Sequence, residues 1–319
     1  MRAQCQKALD LDNNYVNAWN GKGNVLAILG KYDEALECYE KALNLDSSYI
    51  NAWNGKGSVL VDLGRYLKAL SCYNMALKLD QDYIYALNGK GDALRGLGRY
   101  IDAIECYKKA IEGSPNYMLA WYGKGKALDE LGRIEEAIEH FDKAIELESK
   151  YLPALYDKGN SLMKLGQMKE ALGPFDNVIE LDPKYLPALY GKGNALDKLG
   201  QAEEAIQVYE KASELGLKLV ALYIALARLY RKLGQEADSI EACKSARDLI
   251  ETEIEYNRAC FEAVCGSPDA AFALLRTALE KKEQTADWAR RDPDFEPIRD
   301  DPRFAALLDE FSPGAEMGP

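Results

Sequence analysis

Asparagine and tyrosine recur at helical spacing along this chain, and their side-chain amides and hydroxyls are the groups best suited to hold a ligand. Asn17, Asn20 and Asn24 stand three and four residues apart, which puts them on one face of a helix. The pattern returns as Asn51, Asn54 and Ser58, then as Tyr85, Asn88 and Asp92. Farther on it turns aromatic, as Tyr122 with Lys126, Tyr156 with Asn160, and Tyr190 with Asn194. Each asparagine amide both donates and accepts a hydrogen bond. A ladder of them can therefore pair with the main-chain amides of an extended peptide without reading its side chains. Tyrosine adds rigid, amphipathic contact area. The competing reading is a solvated polar face copied along the chain by duplication.

The residues that carry out covalent chemistry are not arranged for it. A Ser-His-Asp or Cys-His constellation needs an orienting histidine. The one histidine, His140, stands beside Phe141 and reads as a surface residue on a helix. The GKG triplets lie within helical patterns, whereas a phosphate loop needs Gly-x-x-x-x-Gly-Lys-Ser/Thr after a strand. The acid-rich stretches lack the spaced ligands and glycine of a calcium loop. Cys38, Cys72 and Cys106 recur at one constant interval, each on the second helix of one of three successive copies. Neighbouring helices pack about 8–10 Å apart, and a disulfide needs Cα atoms within about 7 Å, so these three read as packing residues. The expectation is a protein that is not an enzyme and has no metal or cofactor.

A fixed period sets the elements that position these residues. Tyr15, Tyr49, Tyr83, Tyr117, Tyr151 and Tyr185 are evenly spaced through the first two thirds of the chain. A constant interval of this size, about 34 residues, means stacked copies of one small unit. In the copy from Val16, the residues Trp19, Gly23, Leu26 and Leu29 share one helical face. Gly30 then supplies the left-handed cap that lets the chain reverse, and it recurs through Gly234. A second helix follows, burying Ala35, Tyr39 and Ala42. Gly23 and its equivalents sit mid-helix, where glycine costs about 1 kcal/mol against alanine. Something must press on the backbone there, and Ala35 and Ala42 are the expected partners. Lys22, Lys56, Lys90, Lys124, Lys158 and Lys192 form another ladder, with stems expected to pack while the ammonium groups reach water or a second-helix carboxylate. A ladder of anion sites is the alternative.

The pattern Trp19, Gly23, Leu26, Ala35, Tyr39, Ala42 resembles the tetratricopeptide repeat, and its GKG-rich copies resemble long archaeal arrays of that family. The family's late proline survives as Pro115 and Pro183. The resemblance implies an all-α, right-handed superhelical solenoid of antiparallel helix pairs, with the first helices lining a concave groove. It divides the chain into a partial repeat over 1–15, six units starting at 16, 50, 84, 118, 152 and 186, and a divergent seventh over 220–252. A divergent helical hairpin over 253–283, a capping segment over 284–311 and a disordered tail over 312–319 complete it. The segment around Asp292, Pro293, Phe295, Ile298, Asp301, Pro302, Arg303, Phe304 and Leu307 resembles one that closes many such arrays. Trp288, Phe295, Ile298, Phe304 and Leu308 are expected to cover the last hairpin, and a docking site on Arg299 and Arg303 is the alternative. Chaperone-tail binders of the family use a basic two-carboxylate clamp. The matching places here hold Asn20, Asn24, Gly55, Tyr85 and Gly89, which disfavours acidic chaperone tails.

Composition narrows the partners. The formal charge is −12, and residues 251–319 alone carry sixteen acids against eight bases. Such a surface repels nucleic acid and anionic lipid. No apolar run approaches the ~20 residues of a membrane span, and the N-terminus lacks a signal-peptide core. Seven cysteines without close-spaced pairs suggest a reduced, cytoplasmic setting. The partner expected is another protein, bound through an extended segment in the groove. Two alternatives stand beside it: a regulatory or substrate-presenting arm of a larger enzyme, and self-association through the open N-terminal half-repeat.

Overall fold

A computed structural model of the chain describes residues 12 and 14–312. Most of the half-repeat expected over 1–15, and residues 313–319 of the expected tail, lie outside the described residues. The described residues form helices and no strands. First helices are α1 (Val16–Ile28), α3 (Ile50–Asp62), α5 (Ile84–Gly96), α7 (Met118–Glu130), α9 (Leu152–Lys164) and α11 (Leu186–Lys198). Second helices are α2 (Tyr32–Leu45), α4 (Tyr66–Leu79), α6 (Tyr100–Gly113), α8 (Ile134–Leu147), α10 (Met168–Leu181) and α12 (Ala202–Glu214). A further pair, α13 (Val220–Lys232) and α14 (Glu236–Arg247), precedes α15 (Glu255–Cys265) and α16 (Pro268–Glu280). Short helix α17 (Ala286–Arg291), a 3₁₀ turn (Pro293–Ile298) and α18 (Pro302–Glu310) follow. The chain divides into two compact units, 1–174 and 175–319, and the division falls inside α10 at Pro174.

Each first helix ends in the same way. Gly30 takes φ +72°, the left-handed region, while the Lys31 N–H reaches back to the Leu26 carbonyl at 2.9 Å. That closure satisfies an orphan carbonyl and reverses the chain. Second helices end at an aspartate in several copies: Asp46, Asp80 and Asp182 accept from the backbone N–H two residues on, at 2.9–3.0 Å. In the first two of these copies the Asx turn stands where the family's proline is missing.

The group pressing on the mid-helix glycines is an aromatic ring, not the expected alanines. A Cβ on Gly23 would lie 2.7 Å from the Tyr39 ring, and one on Gly55 of the next copy 2.6 Å from the same ring. Tyr73 stands likewise against Gly57 and Gly89, and Tyr107 against Gly91 and Gly123. Each ring is therefore clasped between its own unit and the next, and both glycines of the GKG triplet keep backbone within reach of it. Ala35 and Ala42 are fully buried beside it and fill the remaining core.

Within 1–174 each first helix also touches the next first helix (α1 with α3, α3 with α5, α5 with α7, α7 with α9), whereas successive second helices make no comparable approach. The first helices thus lie on the inner side of the stack's curve, the side that forms the concave surface of such repeats.

In 175–312 the seventh pair departs from the pattern. Cys243 holds the register of Tyr39, Tyr73 and Tyr107, where the side chain aims at the next helix. It bonds there to Cys265, at the end of α15, at a sequence separation of 22 and with Cα atoms 5.8 Å apart. The bonded pair corrects the expectation drawn from cysteine spacing, because helix register and not sequence proximity brings thiols together. Cysteine usage therefore gives no argument for a reducing compartment. Reduction is expected to lower the stability of 175–312 by about 3 kcal/mol, the chain-entropy value for a loop of this size. The measurement is the urea midpoint with and without reductant, which should coincide in a Cys243→Ser variant.

The C-terminal segment packs against α15 and α16. Phe295, Ile298, Phe304, Leu307 and Leu308 are buried, with the Phe295 ring edge-on to Tyr256 at 5.7 Å. Trp288 does not join them: it is 56% exposed, because α17 turns its small residues Ala286 and Ala289 inward instead. Asp292 and Asp301 cap the helical turns that follow them. Arg299 donates to the Asp292 carbonyl at 2.8 Å and Arg303 to Asp269 at 2.6 Å, so the two arginines offered as a docking site are engaged within the cap.

Candidate functional site

The tyrosines clasped between glycines also position the asparagine stripe. Their hydroxyls emerge on the inner face. Tyr39 Oη donates to Asn24 Oδ1 at 2.7 Å, and Tyr107 Oη donates to Asp92 Oδ1 at 2.7 Å. From an inter-helix corner, Tyr83 Oη donates to Asn51 Oδ1 at 2.7 Å. In Asn24 and Asn51 the carbonyl oxygen is thereby occupied, so both exposed side chains turn their Nδ2 donors outward. Asn17 is exposed and Asn54 half-buried on the same side.

Asn20 and Asn88 differ from the expected solvent-facing stripe. Each is only 8% exposed, because a residue three or four from the neighbouring stripe position rotates toward the next first helix where the helices touch. Asn88 Nδ2 donates to Asp92 at 3.1 Å, while Asn20 Oδ1 and Asn88 Oδ1 have no partner. Burial pushes the Asp92 carboxyl above its ordinary range, and burial pushes the Tyr39 phenol up to about 12.

The aromatic members are brought together locally. Tyr85, half exposed, meets Tyr83 at 5.4 Å and Tyr117 at 5.5 Å, both edge-on. Tyr122 meets Tyr151 at 5.2 Å and donates to Asp157 at 2.8 Å. Lys126 also reaches Asp157, at 3.3 Å, and Arg95 pairs with Glu130 at 2.9 Å. Tyr156 and Asn160 are half-buried. The sequence pattern located these residues; the hydroxyl-to-amide bonds it missed, although the 15-residue spacing of Tyr39 to Asn24 repeats at Tyr107 to Asp92 and at Tyr209 to Asn194.

In 175–312 the corresponding stripe continues with Tyr190 and Asn194, both half-buried. Tyr209 Oη donates to Asn194 Oδ1 at 2.6 Å. Arg228, in the register of Asn24 and Asn194, pairs with Asp197 and, at 3.1 Å, with Asp294 of the C-terminal turn. Burial opposes the Arg228 charge, but Asp197 and Asp294 hold it on. Burial raises the Tyr190 phenol, and the Asp294 charge adds to that rise. The chain's own acidic turn therefore sits beside Tyr190, Asn194 and Arg228.

Cys260, Asp292 and Asp294 bring a thiol and two carboxylates within 4.8 Å, all that the described residues offer as a metal site. The cluster does not suit a cation. Arg228 lies on Asp294, the Tyr256 hydroxyl donates to Asp292 at 2.9 Å, and burial pushes the Cys260 thiol up toward its neutral form. His140, expected at the surface, is half-buried with its ring 5.5 Å from Trp121 and Nδ1 2.8 Å from the Glu136 carbonyl. Burial lowers its pKa, which leaves a neutral ring in a packing role. A cleft of about 490 Å³ opens on the other side of 1–174, lined by Trp53, Lys56, Arg65, Lys68 and Met75 among others.

Models of the tetratricopeptide repeat match residues 16–49, 48–116, 88–150, 156–216 and 187–248. Solved structures share the fold. A crystal structure of PilW, a widely conserved type IV pilus biogenesis factor, is 21% identical, with a TM-score of 0.58 over 61% of this chain and 91% of that one. A tetratricopeptide repeat protein from Parabacteroides merdae is 18% identical, with a TM-score of 0.53 over 75% of this chain and 94% of that one. YrrB, a repeat protein with an unusual peptide-binding site, is 26% identical, with a TM-score of 0.45 over 60% of this chain and 99% of that one. No curated protein matches the chain.

Proposed function

The chain belongs to the tetratricopeptide repeat family, and from that premise we propose that it is a non-catalytic protein-interaction scaffold which holds an extended segment of another protein along the inner face of its first helices. One observation carries this reading. The carbonyl oxygens of Asn24 and Asn51 are occupied by tyrosine hydroxyls, so the amide nitrogens are held facing out as a fixed row of donors. Donors held this way suit main-chain carbonyls and lose little entropy on binding. Asn17 and Asn54 lie on the same side as these donors, and Tyr85, Tyr122 and Tyr156 provide apolar contact area beside them.

The test is a displayed library of unstructured peptides panned against the full chain. Enriched peptides should bind an Asn17→Ala, Asn54→Ala, Asn160→Ala variant at least about tenfold more weakly, the cost of a lost hydrogen bond or two. No hydrogen bond among the described residues depends on these three side chains, so the variant should melt as the parent does. Unchanged affinity both in this variant and in an Asn24→Ala, Asn51→Ala variant would move binding off this face.

A further inference from the structure

The second helices repeat an acidic pattern from which α4 departs. Asp33, Glu34, Glu37 and Glu40 of α2 become Leu67, Lys68, Ser71 and Asn74 on α4, which contains no acid, whereas α6, α8, α10 and α12 each keep several. Two local contacts are lost with them. At the start of α2, α6 and α8 the cation before the helix is held by the acid three residues on: Lys31 by Glu34 at 2.5 Å, Arg99 by Asp102 at 2.6 Å and Arg133 by Glu136 at 2.5 Å. Arg65 has that place before α4 but finds Lys68 at the acid's position, and neither makes an ion pair among the described residues. The second loss is over an indole. Lys41 lies 4.4 Å from the centre of the Trp19 ring in the first copy, and in the next copy Met75 replaces Lys41 beside Trp53.

These changes meet in one place, the cleft of about 490 Å³ bounded by α2, α3 and α4. Leu36, Trp53, Leu60 and Met75 give it apolar walls, and Arg65, Lys68 and Ser71 border it from the α4 side. Ser71 stands where other copies place Glu37, Glu105 and Glu139, and the shorter side chain leaves the space open. Leu67, one turn before Ser71, is 71% exposed, and Met75, one turn after it, is 39% exposed. Glu40 also borders the cleft, but Lys56 holds it at 2.8 Å. That pair is a rung of the lysine ladder. In the same register Lys158 reaches Asp142 at 2.5 Å and Lys192 reaches Asp176 at 2.6 Å, whereas for Lys90 and Lys124 the register offers Asn74 and Lys108, and the rung is broken. The unpaired charge at the cleft is therefore that of Arg65 and Lys68, both positive, in a chain of net charge −12.

We propose that this cleft docks an acidic segment of another protein, with a large apolar side chain against Trp53 and Met75 and carboxylates against Arg65 and Lys68. A carboxylate entering beside Arg65 takes the place of the acid that holds the matching cation in the other copies. The cleft has the volume of a ligand pocket, and exposed Leu67 extends its apolar surface farther than a small molecule would cover. The rest of the acidic surface repels such a segment, which fixes where it lands. The site does not depend on peptide binding at the asparagine row, because Trp53, Lys56 and Leu60 share the face of α3 opposite to Asn51, Asn54 and Ser58.

The test is fluorescence anisotropy of short labelled peptides with the full chain, each carrying paired leucine, phenylalanine or tryptophan between glutamates. At least one should bind saturably, and its version with glutamine for glutamate should bind about tenfold more weakly. A Lys68→Glu, Ser71→Glu, Met75→Lys variant gives α4 the outer face of α2. It should melt no lower than the parent, since it supplies Arg65 with an acid three residues on, and should bind the peptide at least about tenfold more weakly. The Asn17→Ala, Asn54→Ala, Asn160→Ala variant should bind it as the parent does. Absence of binding by every peptide, equal binding of the glutamine version, or equal binding by the α4 variant overturns the proposal, as does a loss confined to the asparagine variant. Tighter binding of decanoate than of any peptide would give the cleft to a small amphiphile instead. Dimerisation of the parent that the α4 variant abolishes would give it to a second copy of this chain. Either result overturns the assignment to an acidic segment of another protein.

Discussion

Gly89→Ala is expected to destabilise the 1–174 unit by about 2 kcal/mol, in the range of overpacking substitutions. At an open helix position the same change would stabilise by up to about 1 kcal/mol. The sign is reversed by Tyr73, whose hydroxyl oxygen would lie 2.5 Å from the new Cβ and whose ring is fixed from behind by Gly57. The ring cannot retreat, so the first helix of the next unit must move away. The chain contains a natural control. Position 157 shares the register of Gly55, Gly89 and Gly123 but holds aspartate, and the aromatic facing it, Phe141, lacks the hydroxyl. Tyr73→Phe should therefore recover part of the loss in the Gly89→Ala background while costing little alone. Denaturant midpoints for the two single variants and the double variant decide the matter. Additive losses would show that the hydroxyl is not the obstacle.

The second large effect is a dependence on pH. Asp294 is pushed up to about 7, first by burial and then by the adjacent Asp292 charge, with Arg228 opposing. Asp197 and Asp294 share the guanidinium of Arg228, while Asp292, beside Asp294, accepts from the Tyr256 hydroxyl and the Cys260 thiol. Arg228 is already paired with Asp197, so it does not offset the burial of Asp294, which keeps its proton up to about pH 7. The folded chain then binds more protons than the unfolded chain between 3.8 and about 7. Stability contributed by this group is complete below that window and is lost as pH rises through it. At about 1.4 kcal/mol per pH unit the span corresponds to on the order of 4 kcal/mol. The heat midpoint of the C-terminal unit should fall between pH 5 and pH 8, and Asp294→Asn should flatten that fall. An equal slope in the variant would assign the dependence to other groups.

Much of the fold is legible in the sequence because it depends on local rules repeated many times. The constant repeat period, the glycine at φ +72° and the alternation of two helices per unit all follow from nearest-neighbour chemistry. What the sequence hides is what one unit does to the next. Two glycines of a GKG triplet look like one small-residue patch until Tyr39 is seen to lean on Gly23 of its own unit and Gly55 of the following one. The lysine ladder could not be divided into paired and broken rungs without knowing which position of the preceding second helix each lysine faces. The asparagines were found by spacing, but not that Asn20 and Asn88 are buried while Asn24 and Asn51 are oriented by tyrosines, since that depends on how closely the first helices approach. The pairing of Arg228 with Asp294 of the C-terminal turn joins parts of the chain far apart in sequence, beyond any periodic signal.

A ring held jointly by two units makes every junction a matched lock, and this determines how such a chain can change length. Removing residues 50–83 would bring Tyr39 against Gly89, a tyrosine against the glycine it already expects. The shortened chain would contain no new kind of interface. A cut that instead joined Tyr107 to the copy carrying Asp157 would press a hydroxyl-bearing ring on a residue with a side chain. Loss of whole copies among the first six therefore leaves a ring against a glycine at each new junction except where a tyrosine-bearing copy is joined to the one carrying Asp157.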